Sequence, residues 1–130
     1  MKNFFLVLLI FILTSCSSDV NVFEHIDKNS SLNISILDSN SNLLNRRETE
    51  MQVNSDKYSH LLQWADKNID GWNWDPVSHI PADIIVSQGS FRLLYWVGKG
   101  NAVIAFTDKD NKPRQYSKSI KKGDLDFLAK

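Results

Sequence analysis

The chain has 130 residues, of which 42% are hydrophobic, 11% aromatic and 23% charged, an ordinary globular composition. Fifteen basic residues balance fifteen acidic ones, so no strongly basic face points to nucleic acid. Multi-domain enzymes, long coiled coils, collagen-like repeats and disordered polyelectrolytes are excluded on the same grounds.

The first element is apolar. Lys2 is followed by an unbroken hydrophobic run from Phe4 to Leu13, and then by Thr14, Ser15 and Cys16. As a helix the run would measure about 15 Å. A bilayer core needs about twenty apolar residues, so this is the pattern of an export signal and not of a membrane span. Leu13-Thr14-Ser15-Cys16 resembles the lipobox of bacterial lipoproteins: an aliphatic residue, two small residues and an obligatory cysteine. The resemblance covers only residues 1–16. It implies cleavage before Cys16, so that 1–15 is a removed signal peptide, and attachment of diacylglycerol to the Cys16 sulfur with acylation of the new amino group. Serine at position 17, where aspartate favours inner-membrane retention in enterobacterial lipoproteins, implies sorting to the outer membrane if the source is Gram-negative. Cys16 is the only cysteine in the chain, which rules out an intramolecular disulfide and a cysteine-based zinc site. Lipidation would use a thiol that is otherwise a liability in an exported protein.

Residues 16–31 are polar, rich in Ser, Asn and Asp, and are expected to form the lipidated cysteine and a flexible tether spanning about 20 Å. The competing expectation is that Val22, Phe23 and Ile26 pack on the domain. Residues 32–130 are expected to form that single domain. Leu32, Ile34 and Ile36 alternate with polar residues, the period of a half-buried strand. Asp38 to Asn42 is a turn cluster, and Thr49 to Val53 is a candidate returning strand. Ser55 or Asp56 can cap a helix carrying Tyr58, Leu61, Leu62, Ala65 and Ile69 on one face, with Gly71 as its stop signal. Gly71 to Pro76 reads as a loop.

Further strands are expected at Ile84 to Val86 and at Phe91 to Val97, the latter placing Phe91, Leu93, Tyr95 and Val97 on one face and Arg92, Leu94 and Trp96 on the other. Ala102 to Phe106 is apolar on both faces and so should lie centrally. Residues 114–118 are expected to form a final edge strand and Leu125 to Leu128 a short terminal helix. The fold class is α+β: an antiparallel sheet of about five strands with one main amphipathic helix, at about 56–68, packed on it.

Few residues form a chemical constellation. Asp108-Lys109-Asp110-Asn111-Lys112 begins like a calcium-binding loop, but Lys112 and Pro113 occupy positions that need a ligand and a glycine, so a hairpin turn is expected. Asn33-Ile34-Ser35 fits a glycosylation sequon that a bacterial lipoprotein leaves idle. His25, His60 and His79 lack metal-ligand spacing, although Asp56 and His60 lie one helical turn apart. No nucleophile elbow and no phosphate-cradling glycine loop is present, and no metal or cofactor is expected.

Tryptophan is the more informative residue. Trp72 and Trp74 lie two apart beside Asn73 and Asp75, and planar rings beside polar groups suit the apolar faces and hydroxyls of a sugar. Trp72, Trp74 and Asp75 are therefore candidate glycan contacts, with one of the two rings expected to face outward and peptidoglycan as the ligand at hand. For Trp64 and Trp96 a core role is favoured.

Charge is uneven along the chain. Residues 16–90 carry 5 basic and 11 acidic side chains, whereas residues 91–130 carry 9 and 4. Lys112, Arg114, Lys118, Lys121 and Lys122 are the candidate partner face, for an anionic protein or lipid headgroups. The leading functional expectation is a small non-catalytic protein-binding module, of accessory, inhibitor or immunity type, held in the envelope by the lipid on Cys16 and meeting an envelope protein. A peptidoglycan-binding module is the first alternative, and a hydrolase built on His60, His79 and nearby acids the second.

Overall fold

The computed structural model describes residues 17–38, 40 and 45–130. Seven strands form one sheet: β1 (Leu32–Leu37), β2 (Arg46–Met51), β3 (Asn73–Trp74), β4 (Ile84–Gln88), β5 (Phe91–Tyr95), β6 (Asn101–Thr107) and β7 (Pro113–Ser119), in the order β2-β1-β4-β5-β6-β7-β3, each pair antiparallel. One helix, α1 (Asp56–Lys67), joins β2 at one edge to β3 at the other. The α+β class thus holds, with seven strands where about five are expected.

The register explains the layering. Ile34 lies opposite Val86, Val86 opposite Leu93, Leu93 opposite Ile104, and Ile104 opposite Tyr116. Directly opposed residues point to the same face, so these side chains make an apolar row across five strands. Helix α1 covers it with Tyr58, Leu61, Trp64 and Ala65. Ser55 is the N-cap, its Oγ accepting the Tyr58 N–H at 3.2 Å, which satisfies one of the free donors of the first turn. At the other end Gly71 adopts φ +76°, a conformation that favours glycine. Trp64 takes an inward position that the helical pattern assigned to Leu62 and Ile69, both of which are only half-buried.

The expected flexible tether is not what residues 18–31 form. Ser18 and Trp72 exchange two backbone hydrogen bonds, 2.7 and 3.2 Å, as an antiparallel bridge outside β3, and the Val20 N–H donates to the Ile69 carbonyl at 2.7 Å. Val20, Val22 and Ile26 are buried in the main core, His25 stacks on Phe106 at 3.7 Å, and the Asp27 N–H donates to the Gln88 side chain at 2.6 Å. The segment crosses the helix side of the sheet from β3 to β1. Its scattered apolar residues, too few to signal an element, are enough to seal one end of the core.

A short 3-10 helix (Asp126–Ala129) closes the other end, where the Tyr95 hydroxyl donates to Asp126 Oδ1 at 2.7 Å and the Lys57 ammonium donates to the Lys130 carbonyl at 2.7 Å.

Three other expectations shift. β7 is not the edge strand, because β3 pairs with it through Asn73↔Ser117 and Trp74↔Tyr116. That two-residue strand is too short to carry a period and exists only because β7 offers it a ladder. β2 spans 46–51, ahead of the expected 49–53; as an edge strand exposed on both faces from Arg47 to Glu50 it has no apolar alternation to read. β5 ends at Tyr95, and Val97 stands exposed. β6 lies inside the sheet, as its two apolar faces require. Its Val103 packs on the outer face with Ala82 and Trp96, and Ile85 and Leu94 pack around them.

Candidate functional site

Cys16 and the signal-like segment lie outside the described residues, as do Ser39 and 41–44 of the turn cluster and the segment after it.

The tryptophan pair separates. Trp72 is 0% exposed, its indole N–H donates to the Asn68 carbonyl at 2.6 Å, and its ring meets Trp64 edge-on at 6.4 Å. It is a core residue that anchors the exit of α1, and burial removes it as a glycan contact. Trp74 is 52% exposed. Residues two apart in an extended chain share a face, so the difference between the rings is one of cover: α1 reaches Trp72 and ends before Trp74. Asp75 is turned to the opposite face, where its carboxylate accepts from His79 Nε2 at 2.8 Å and its carbonyl accepts from the Gln115 amide at 2.8 Å. Of the three candidate glycan contacts only Trp74 remains accessible, without a free carboxylate beside it. Trp64 and Trp96 are both buried, as the core reading has it.

Trp74 ends an aromatic file on the helix side. His25 stacks on Phe106, Phe106 on Tyr116 at 6.1 Å, and Tyr116 meets Trp74 at 5.7 Å. The Arg114 guanidinium lies 5.9 Å from the Trp74 ring centre, within range of a cation–π attraction. Trp74, Pro76, Phe106, Pro113 and Arg114 line part of an open cavity of about 450 Å³.

The basic residues do not form one face. Lys112 sits in the β6–β7 turn, while Lys121 and Lys122 follow the far end of β7. Arg114 Nε donates to Asp108 Oδ2 at 2.7 Å, and Lys118 donates to the Asp70 carbonyl at 2.6 Å. Asp108 also accepts the backbone N–H groups of Asp110 and Lys112, each at 2.9 Å. The Lys112 N–H and then the Arg114 guanidinium hold its carboxyl below the usual carboxylate range. Asp108 therefore closes a hairpin turn, as the sequence predicts, and uses up the charge of Arg114 in part.

The histidines are also apart. His60 lies on α1 edge-on to Phe127 at 5.7 Å. His25 is held below its ordinary range because burial disfavours the charged ring, with Glu24 opposing. His79 lies on the outer face near Trp96, their ring centres 5.6 Å apart. His60 and His79 are thus on opposite sides of the sheet and cannot share a substrate. Among the described residues no three His, Cys, Asp or Glu side chains group as a metal site would need.

A feature that residue-by-residue reading passes over is the segment from Asp75 to Asp83. It leaves β3, crosses the outer face of the sheet and enters β4. Gln115 holds its start, donating to the carbonyls of Asp75 at 2.8 Å and Val77 at 2.7 Å. Arg46 holds its end, donating to the Ala82 carbonyl at 2.7 Å and to Ser35 at 2.6 Å. Ala82 is buried beneath it, and the Asp83 carboxylate accepts the Val97 N–H at 2.8 Å. Residues 76–81 are all exposed. Val77 is 58% and Ile80 75% exposed, and both stand between Pro76 and Pro81. A shallow hollow of about 270 Å³ is lined by His79, Ile80, Trp96, Lys99 and Asn101. Among the described residues the large exposed hydrophobic side chains are Trp74, Val77, Ile80 and Val97; Val77 and Ile80 lie on this strap, Trp74 just before it on the helix side, and Val97 in the turn after β5 whose N–H the strap's Asp83 binds. The paired prolines around two β-branched residues were the signal available in sequence: a stiff segment that carries apolar groups without alternation.

No helix among the described residues is long and apolar enough to cross a membrane. Comparison with protein-family models, with curated proteins and with solved structures gives no match for this chain.

Proposed function

We propose that this chain is an envelope lipoprotein, held on a membrane by lipid on Cys16, whose domain is a small non-catalytic protein-binding module that engages an envelope protein through the 75–83 strap. In a Gram-negative source the outer membrane, on its periplasmic side, is the proposed location. The observation that carries the binding reading is the gathering of exposed apolar side chains on the strap. Single exposed hydrophobic residues are ordinary, but Val77 and Ile80 are both exposed within one short strap bounded by Pro76 and Pro81, and apolar side chains shown together suit an interaction surface. Val77 and Ile80 lose exposure only when something covers them. The two prolines and the Gln115 and Arg46 hydrogen bonds hold the backbone in place beforehand, which reduces the entropy that binding would cost. Support for the anchor is the lipobox resemblance at residues 13–16.

The test is site-specific photo-cross-linking in intact cells. A photoreactive residue at position 80 is expected to give a discrete protein adduct, and the same residue at Glu48, on the charged edge strand β2, none. Equal labelling at the two positions, or none at 80, would overturn the strap as the binding surface. For the anchor, Cys16→Ala should move the protein from the membrane to the soluble fraction.

A further inference from the structure

The course of the N-terminal segment says which side of the domain meets the membrane. This inference rests on the lipid anchor proposed above. A flexible tether would leave the domain free to tumble above the lipid. Here Ser18 is pinned to Trp72 by two backbone hydrogen bonds. The bridge is antiparallel, so Ser17 lies on the side of Ser18 toward which β3 runs from Trp72 to Trp74. Ser17 is the next residue, and Cys16 is bonded to it, one Cα step of about 3.8 Å further. An acylated Cys16 therefore has almost no free chain between its lipid and the β3 edge.

We infer that the β3 edge docks on the bilayer surface that holds the anchor, with the Trp74 ring in the headgroup layer. Trp74 is the one tryptophan with an exposed ring, the other three being buried. Indole is favoured at membrane–water interfaces because its body is apolar and its N–H is polar. Pro76 and Pro113 border the same cavity, and Arg114 lies beside the ring. The local charge is mixed: Arg114 is paired with Asp108 and Lys118 with Asp70, and the exposed Lys112 stands against Asp19 in the chain's entry segment. Docking is thus driven by the anchor and the ring, and should not require anionic lipid. The strap starts from this edge and crosses the outer face, which leaves Val77 and Ile80 on a side wall open to a partner.

The experiment uses the processed, lipidated protein in phosphatidylcholine vesicles with and without brominated acyl chains, which quench indole emission at short range. Emission is expected to fall with bromination, and this fall to vanish in Trp74→Phe. Adding anionic lipid should leave the quenching unchanged. If the protein floats with the vesicles but its emission is indifferent to bromination, the anchor stands and the docked orientation is overturned. If the processed protein does not float, the anchor reading fails and the orientation falls with it. Unchanged quenching in Trp74→Phe would overturn the role of that ring.

Discussion

Replacing Trp72 and Trp74 in turn separates two rings that lie two residues apart in sequence. Trp72 is fully buried, makes a 2.6 Å hydrogen bond to the Asn68 carbonyl, and packs edge-on against Trp64 at 6.4 Å. Truncating a core tryptophan to alanine costs about 3–5 kcal/mol through lost transfer energy and the cavity left behind. A domain of this size has about 5–15 kcal/mol in total, so Trp72→Ala should remove a large share of its stability. Trp72→Phe retains most of the packing but strands the Asn68 carbonyl, and should cost about 2 kcal/mol. Trp74 covers only half its surface, roughly 100 Å², which converts to about 2.5 kcal/mol at most. The assay is urea unfolding followed by far-ultraviolet circular dichroism, on a form beginning at Ser17. The expected order of loss is Trp72→Ala well above Trp72→Phe, with Trp74→Ala the smallest. A Trp74→Ala cost equal to that of Trp72→Ala would refute the assignment of one ring to the core and the other to the surface.

Three further outcomes are expected. Arg46 donates to Ser35 Oγ at 2.6 Å, the Ser35 carbonyl at 2.9 Å and the Ala82 carbonyl at 2.7 Å; Arg46→Ala should cost about 3 kcal/mol in the same assay. Arg46→Lys should recover little, because an ammonium cannot reproduce the guanidinium fork. His25, stacked on Phe106, is held by burial below its ordinary 6.5, so its neutral form belongs to the folded state. Stability should be at its full value above pH 6.5 and decline as pH falls through the window beneath it, where the unfolded chain binds the proton first. His25→Gln should flatten that slope in chemical unfolding measured from pH 7.5 to 5. The lowered carboxyls of Asp27, Asp108 and Asp126 act separately, since their contribution is lost only below their ordinary 3.8. Tyr95 is pushed up to about 12 by burial and then by its hydrogen bond to Asp126; Tyr95→Phe should cost about 1.5–3 kcal/mol and loosen the C-terminal 3-10 helix, seen as faster amide exchange at Leu128.

The regular parts of the fold could be read from the chain because their signals are local. Ser55 as the cap and the 3.6-residue spacing of Tyr58, Leu61 and Ala65 define α1, and the alternation in Leu32–Ile36 and Phe91–Tyr95 defines β1 and β5. The hairpin at Asp108–Lys112 followed from turn chemistry in the same way. β2 and β3 escaped such reading. One is a charged edge without a buried period, and the other is two residues long and borrowed from β7.

The candidate site was less legible, since it depends on what covers what. Position along the chain made Trp72, Trp74 and Asp75 neighbours, but α1 buries the first, leaves the second uncovered, and the strap draws Asp75 to the other face. The five basic residues from Lys112 to Lys122 looked like one patch because they are close in sequence. An extended strand carries its two ends apart, and Asp108 and Asp70 engage the two between them.

By itself the sequence determined the α+β class, the main helix and most of the strands, because helix caps and hydrophobic periods act over a few residues. Tertiary structure alone decided that residues 18–31 pack instead of trailing, that the strap shows Val77 and Ile80, and that one tryptophan of a pair stays open. Those outcomes come from contacts between residues far apart in the chain, where burial is settled by the whole sheet and its covering segments and not by any local pattern.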